Sequence, residues 1–166
     1  MSNILNTFKN QLLHAGINNA QNELNWFLEN KFDLKKENIL LKKIILSDLQ
    51  IAIVKKFIQR RIKKEPLQYI LGSSPFFGID LYVNNHVLIP RPETEIIIDI
   101  LIRQKKCFKS AIDICTGSGN LALILSLKGI AKKIIAIDNS NRALGVAKKN
   151  FKRYNVKNID CMKIDF

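Results

Sequence analysis

The segment Cys115-Thr116-Gly117-Ser118-Gly119 is a glycine-containing turn between a predicted buried strand, 110–114, and a predicted helix, 120–128. Its glycines allow a sharp chain reversal, and their missing Cβ atoms let a ligand lie against the backbone. Because open parallel sheets bind ligands beyond the carboxyl ends of their strands, this spacing predicts a nucleotide-type site. A plain tight loop and another class of nucleotide site are the alternatives. The dinucleotide pattern is disfavoured because Ala122 stands where its third glycine belongs.

Acidic residues close the next two predicted strands. Asp138 ends the second strand, 19 residues after Gly119, where a carboxylate accepts hydrogen bonds from both hydroxyls of a ribose. The alternative is an N-cap role for the following helix, which Asn139 or Ser140 already fills. Asp165-Phe166 closes the third strand, where an acid can meet an adenine amino group and an aromatic ring can stack on the base. A surface strand end is the alternative for this pair.

The other chemically active residue types form no constellation in the sequence. Cys107, Cys115 and Cys161 are odd in number and widely spaced, so they indicate neither a disulfide framework nor a zinc site. His14 and His86 have no partner pattern and are interpreted as surface or packing residues. We therefore predict no metal.

The 166-residue chain has a net charge of +13, carried by 21 Lys and 6 Arg that are spread along its length. Lys, Ile and Asn share A/T-rich codons, so genome composition explains the charge as readily as an anionic or ribosome-associated partner does. The N-terminus lacks a signal-peptide pattern, and the apolar run 96–102 is too short to span a bilayer. We expect a cytoplasmic protein with no membrane partner and no direct nucleic-acid recognition.

The elements that position these residues fall into two predicted parts. Helical periodicity predicts an N-terminal helical domain, in which Gly16 stops the first helix and Ser47 with Gln50 forms a capping box. The helix after Ser47 is predicted to bury a stripe formed by Leu49, Ile53, Phe57 and Ile62.

Residues 73–75 are interpreted as a chain breaker before a small β-hairpin within 76–89, followed by a helix over 93–106. Strands at 110–114, 132–137 and 158–164 then alternate with helices, which predicts an α/β fold with a parallel, doubly wound sheet. The expected domains are a helical domain over 1–73, a hairpin linker over 74–92, and the first βαβαβ half of a Rossmann-like domain over 93–166.

Four segments together resemble the bacterial protein-(glutamine-N5) methyltransferases, and among them the release factor glutamine methyltransferases (the PrmC or HemK family). The segments are Glu65-Pro66-Leu67-Gln68-Tyr69-Ile70-Leu71-Gly72 with Phe76-Phe77-Gly78, Ile89-Pro90-Arg91-Pro92-Glu93-Thr94-Glu95, Asp113-Ile114-Cys115-Thr116-Gly117-Ser118-Gly119, and Ile135-Ala136-Ile137-Asp138. The resemblance begins near Glu65 and extends to Phe166. The second segment favours this branch over the sister enzymes that methylate a ribosomal-protein glutamine.

The resemblance implies a helical domain that helps to recognise a peptide chain release factor, and a class I domain that binds S-adenosyl-L-methionine. It implies methyl transfer to the side-chain amide of the glutamine in the release factor's Gly-Gly-Gln loop. Residues 115–119 would line the methionine and ribose side of the cofactor, Asp138 would hold the ribose hydroxyls, and Phe166 would lie by the adenine.

Three positions in the resembling segments have open interpretations. Cys115 stands where relatives often have Gly, so we expect it to be tolerated with a negative φ and costly with a positive one. Arg91 and Glu93 are explained either by the first turn of a helix or by a contact in the cleft.

The family's catalytic Asn-Pro-Pro-Tyr motif, which positions the substrate amide, does not occur in these 166 residues. The first strand also lacks the fourth strand with which it would pair, so we expect an open apolar edge, a tendency to aggregate, and weak or absent activity. A decayed gene, a split enzyme completed by a second chain, and a fragment are the explanations considered. A non-catalytic module that docks on a release factor or ribosome is the alternative function.

Overall fold

A computed structural model of the protein describes residues 2–41 and 43–165. The chain divides into two compact units, the first ending at Leu71 and the second beginning at Gly72. Each unit has its own hydrophobic core. Within the described residues, no helix is both long and apolar enough to cross a membrane.

The first unit is helical, as the periodicity predicts. Its core centres on Leu12, Leu24 and Leu28 with Phe27 and Phe57, whose rings stack 4.1 Å apart between centroids. The helices are α1 (Ser2–His14), α2 (Ala20–Phe32), α3 (Lys36–Leu40), α4 (Asp48–Ile62) and α5 (Leu67–Leu71). The capping box at the start of α4 is confirmed: the Ser47 side chain accepts from the Gln50 N–H, and the Gln50 side chain accepts from the Ser47 N–H.

The predicted apolar stripe of α4 is wrong in part. Its buried residues are Val54, Phe57 and Ile58, whereas Leu49 is 72% exposed and Ile62 is 40% exposed. A helix turns by about 100° per residue, so the predicted spacings of four, four and five residues drift around its circumference. Val54, Phe57 and Ile58 instead fall within one sector of about 100°, which is the face that reaches the core.

The second unit opens with an antiparallel hairpin of strands β1 (Ser73–Phe76) and β2 (Ile79–Tyr82). Phe77 and Gly78 between them both have positive φ, 49° and 76°, as a two-residue type I′ turn requires. The interpretation of residues 73–75 as a breaker is therefore wrong. Pro75 lies opposite Asp80, whose N–H and C=O bond to Tyr154 instead, so the N–H that proline lacks is not needed.

A parallel three-stranded sheet with strand order β3-β4-β5 forms the rest of the unit and confirms the predicted α/β fold class. Its strands and helices follow the predicted alternation with boundaries shifted by a few residues, and the helix expected from residue 93 begins with a 3-10 turn, Pro92–Thr94. The elements are α6 (Glu95–Arg103), β3 (Phe108–Ile114), α7 (Asn120–Leu127), β4 (Ala131–Asp138), α8 (Asn141–Arg153) and β5 (Ile159–Lys163).

The helices cover one face of this sheet. Ile134 and Ala136 of β4 lie in a core that α6, α7 and α8 complete with residues such as Ile98, Leu123 and Phe151. On the opposite face, Ile112 and Ile114 of β3 are each 60% exposed and Met162 of β5 is 47% exposed. Ile137 of β4, which pairs with Ile114, is 7% exposed, so the exposed apolar side chains of this face lie on the two outer strands.

The hairpin, expected as a linker over 74–92, falls within the second unit because α8 holds it. The Tyr82 N–H donates to Asn150 Oδ1 at 2.7 Å, and the Asp80 N–H donates to the Tyr154 hydroxyl at 3.0 Å. These bonds fasten β2 to the same helix that packs on β4 and β5.

Candidate functional site

The predicted glycine turn joins β3 to α7 and has three residues in the left-handed region of backbone conformation. Cys115, Gly117 and Gly119 have φ of 60°, 54° and 77°. The Thr116 N–H between them donates to Ile137 O of β4 at 2.8 Å, so the turn remains tied to the sheet. Gly119 then serves as the N-cap of α7. Two of the five positions of the turn thus lack a Cβ, beyond the carboxyl end of β3.

The positive φ of Cys115 is the costly case that the sequence analysis distinguished. A residue with a Cβ in this conformation is strained by about 1 kcal/mol. Glycine would adopt it freely. The Cys115 side chain is exposed, so no buried packing offsets the strain.

Asp113, the buried residue of β3, forms hydrogen bonds to the turn and to the helix that follows it. Its Oδ2 accepts from the Thr116 hydroxyl at 2.7 Å and from the Ala122 N–H at 3.2 Å, and the residue is only 9% exposed. Burial raises the pKa of this carboxyl, and the charge of Asp138 raises it further, while the two hydrogen bonds partly oppose the shift. The carboxylate links the beginning of the turn to the first turn of α7.

Asp138 closes β4 next to the same turn. Its Oδ2 accepts from the Gly117 N–H at 3.0 Å, and its Oδ1 accepts from the Ser140 N–H at 2.9 Å. The N-cap of α8 is Ser140, whose hydroxyl accepts from the Ala143 N–H, so the capping alternative for Asp138 does not apply. Each carboxylate oxygen can accept a further hydrogen bond. The predicted ribose contact is therefore compatible with the bonds that hold the turn.

Helix α8 also packs against the turn, a contact that was not predicted from the sequence. A Cβ on Gly119 would lie 2.6 Å from the Phe151 ring and 3.0 Å from Ala147 Cβ, so α8 approaches the backbone as closely as glycine permits. Asn150, fully buried, donates to Ser118 O at 2.9 Å. A polar residue between Ala147 and Phe151 on a buried helix face was the available signal.

A cavity of about 200 Å³ lies against the turn. Nothing comes closer than 3.9 Å to a Cβ built on Gly117, so the backbone is open at this position. Besides the turn, residues 88–91 and Thr94 form a second wall of the cavity. The lining residues include Leu88, Ile89, Pro90, Arg91, Thr94, Asp113, Cys115, Thr116, Gly117 and Ser118.

The two alternatives for the segment around Arg91 are divided between neighbouring residues. Arg91 lines the cavity, while Glu93 lies in the first turn of the 3-10 helix. Glu95 Oε1 accepts from the Phe77 N–H at 2.9 Å and so ties this helix start to the hairpin turn.

The remaining predicted site residues, Asp165 and Phe166, follow β5 in the sequence. Phe166 is outside the described residues. Asp165 is exposed just beyond β5, and the Ile164 N–H donates to Asp138 O at 3.2 Å, so the chain leaves the sheet beside Asp138. Among the residues described, no group of His, Cys, Asp and Glu is arranged to hold a metal ion.

Comparison with known families matches both halves of the chain. The model of the PrmC N-terminal domain family matches residues 3–72. The model of the Ribosomal protein L11 methyltransferase (PrmA) family matches residues 91–164, which include the turn, Asp138 and most of the residues that line the cavity.

Three curated relatives of the chain are release factor glutamine methyltransferases. The chain is 40% identical over 114 residues to the release factor glutamine methyltransferase of Thermodesulfovibrio yellowstonii, covering 66% of this chain and 41% of that one. It is 42% identical over 123 residues to that of Buchnera aphidicola subsp. Schizaphis graminum, covering 74% and 45%. It is 30% identical over 155 residues to that of Geobacter sulfurreducens, covering 93% and 55%. The chain spans about half the length of these curated relatives.

Proposed function

We propose, given that this chain is related to the release factor glutamine methyltransferases, that its second unit is a binding site for S-adenosyl-L-methionine. The observation that carries the proposal is the pairing of an open backbone turn with a buried carboxylate on the next strand. The backbone at Gly117 is open, and the Gly117 N–H donates a hydrogen bond to Asp138 Oδ2 at 3.0 Å. Small-molecule sites in open α/β sheets form at this edge.

The proposed roles follow the arrangement of the turn. The cavity of about 200 Å³ is smaller than typical sites for whole ligands, so it suits one end of the cofactor, which we assign as the methionine end. Residues 115–119 hold that end and Asp138 accepts from the ribose hydroxyls. Phe166 by the adenine is part of the same proposal.

The reaction that we propose for the whole protein is methylation of the glutamine amide in the Gly-Gly-Gln loop of a peptide chain release factor. The bound cofactor supplies the methyl group. The residues of this chain contribute binding and orientation, which are the main protein contributions when no covalent intermediate forms. Because Asn-Pro-Pro-Tyr does not occur in the 166 residues, we expect them to bind the cofactor and to catalyse transfer weakly or not at all.

The match of residues 3–72 to the PrmC N-terminal domain favours a release factor over a ribosomal-protein glutamine as the substrate. We assign the helical unit to recognition of that substrate, in the cytoplasm. A second chain that supplies the missing motif belongs to the same proposal. A module that docks without binding cofactor is the competing function, and cofactor binding distinguishes the two.

Titration calorimetry of the full chain with S-adenosylmethionine and S-adenosylhomocysteine tests the proposed site. We expect Asp138→Ala to weaken binding by about 10- to 100-fold, since hydrogen bonds to a charged group contribute about 1.5–3 kcal/mol. Asp160→Ala is the matched control: Asp160 is an exposed carboxylate of the adjacent strand, paired with Lys133, and its loss should leave affinity unchanged.

Circular dichroism confirms that each variant is folded. If the folded wild-type chain binds neither S-adenosylmethionine nor S-adenosylhomocysteine, the proposed cofactor site is wrong and the docking module is favoured. Labelled methyl transfer, measured with a release factor, with its glutamine-to-alanine variant and with ribosomal protein, then identifies the substrate. Robust turnover by residues 1–166 would contradict the expected impairment.

A further inference from the structure

Helix α8 lies along the outer edge of β2 and binds its backbone with two side chains. The Tyr154 hydroxyl donates to Asp80 O at 2.7 Å and accepts from the Asp80 N–H at 3.0 Å. The Asn150 amide donates to Tyr82 O at 3.0 Å and accepts from the Tyr82 N–H at 2.7 Å. Side chains four residues apart on one helix therefore occupy alternate positions of a strand edge, as a neighbouring strand would.

The hairpin register explains why these backbone groups are available. Asp80 pairs with Pro75, which has no N–H, and Tyr82 pairs with Ser73. In an antiparallel pair, alternate residues direct their N–H and C=O away from the partner strand. The outward groups of Asp80 and Tyr82 would otherwise need water or another strand.

Asn150 makes one contact that Tyr154 lacks. It also donates to Ser118 O in the cofactor turn at 2.9 Å, and its side chain is completely buried. One amide thus joins the last residue of β2 to the turn between β3 and α7, with all of its hydrogen-bonding hydrogens in use.

One attachment point, Ser118, lines the cavity itself, and the other, Tyr82, precedes lining residues in the sequence. Ser118 lines one wall, and residues 88–91 form the other, only six positions after Tyr82. Between them, Val83 and Val87 are buried, and the Val83 N–H bonds to Gly72 O, so the connecting segment is anchored rather than free. Asn150 therefore ties Ser118 of one wall to Tyr82, from which the anchored segment 83–87 leads to the other wall.

We infer that Asn150 is a positioning residue that holds the cofactor turn and the wall at residues 88–91 in register with each other. Its contribution to ligand affinity rests on the proposed cofactor site, whereas its coupling of the two walls is a property of the fold. No direct contact with the ligand is assigned to it, because it is buried beneath the turn.

The decisive comparison is Asn150→Asp against Tyr154→Phe in the full chain. Asn150→Asp keeps the size and an acceptor for the Tyr82 N–H, but it opposes a carboxylate to the carbonyls of Tyr82 and Ser118. Tyr154→Phe loosens the same strand without touching the turn. Backbone amide hydrogen exchange, followed separately for residues 117–119, 88–91 and 79–82, and calorimetry with S-adenosylhomocysteine are the two readouts.

We expect Asn150→Asp to accelerate exchange in all three segments and to weaken S-adenosylhomocysteine about tenfold, the effect of roughly one hydrogen bond. Tyr154→Phe should accelerate exchange in 79–82 alone and leave affinity within about twofold. Equal exchange at 117–119 in the two variants would overturn the inference.

If the wild-type chain binds no cofactor, the proposed function fails, yet the exchange comparison still decides whether Asn150 couples the walls. Should the buried charge of Asn150→Asp unfold the chain, Asn150→Ala, which removes the same bonds without adding a charge, replaces it. Protection at 117–119 equal to the wild type in a folded Asn150→Ala would equally overturn the inference.

Discussion

Cys115 holds a conformation suited to glycine at the entrance to the proposed cofactor turn. Its φ of 60° places its Cβ against the backbone, and its exposed side chain receives no compensating packing. We expect Cys115→Gly to raise the free energy of unfolding by about 1 kcal/mol, less a part lost to the greater freedom of glycine in the unfolded chain. Urea unfolding monitored by circular dichroism measures the change.

Cys107→Gly is the matched control for this substitution. Cys107 is also an exposed cysteine outside the sheet, but its φ is not positive, so glycine gains nothing there. Its free energy of unfolding should stay the same or fall. A gain of equal size in both variants would show that the backbone of Cys115 is not the source of strain.

Residues of the site differ in how far the sequence reveals them. The glycines of the turn and Asp138 are recognisable because strand ends and short spacings determine where they lie. The structure places Asp138 against Gly117, while its ribose role stays a prediction. Asn150 was missed, since its partners, Tyr82 and Ser118, are 68 and 32 residues away along the chain. The one local signal is its place between Ala147 and Phe151 on the apolar face of α8, and that signal does not reveal the bonding partners.

At the scale of elements, two glycines of the second unit should respond in opposite ways to alanine. Gly119→Ala places a Cβ 2.6 Å from the buried Phe151 ring at a φ of 77°. We expect a loss of about 3 kcal/mol from strain and overpacking together. Gly145→Ala, inside α8 with nothing within 4 Å, should stabilise by about 0.5–1 kcal/mol through helix propensity.

Thermal and urea unfolding of the two variants give both values, and the pair controls for the chemistry of the substitution. A neutral Gly119→Ala would mean that α8 does not press on the turn. A destabilising Gly145→Ala would mean that this side of α8 is not open to solvent.

Alternation of strands and helices in the second unit was predictable because buried parallel strands and amphipathic helices have distinct apolar periods. The strand at Ser73–Phe76 was not, since Pro75 locally resembles a breaker and is acceptable because the register places it opposite Asp80, whose N–H and C=O point away from β1. The prediction of which α4 residues are buried was wrong in part for a similar reason. Apolar residues occur around most of the circumference of α4, but only one sector of the helix packs into the core.

At the scale of the whole molecule, the apolar side chains that β3 exposes on one face of the sheet are expected to affect self-association. Ile112 and Ile114 are each 60% exposed in β3, an edge strand that pairs only with β4 among the described residues and so can pair with another chain. We expect the chain to self-associate through this face and edge, and Ile112→Lys to reduce the effect at little cost in stability. Sedimentation velocity over a concentration series measures the association.

Leu49→Lys is the control for added charge. Leu49 is 72% exposed on α4, a helix of the first unit, so the same substitution there should leave association through the sheet unchanged. An equal decrease in self-association in both variants would show that the added charge, and not the sheet face, is responsible.

The clamp of α8 on β2 also has a consequence for the order in which the protein folds. Tyr82 and Asn150 are separated by 68 residues, and Asp80 and Tyr154 by 74. Closing such long loops is entropically costly, and contacts of this sequence separation slow folding and form late. The hairpin is local and can form early, but its outer edge waits for the last helix of the unit. The cofactor turn therefore acquires its final shape near the end of folding, once α8 has docked beneath it.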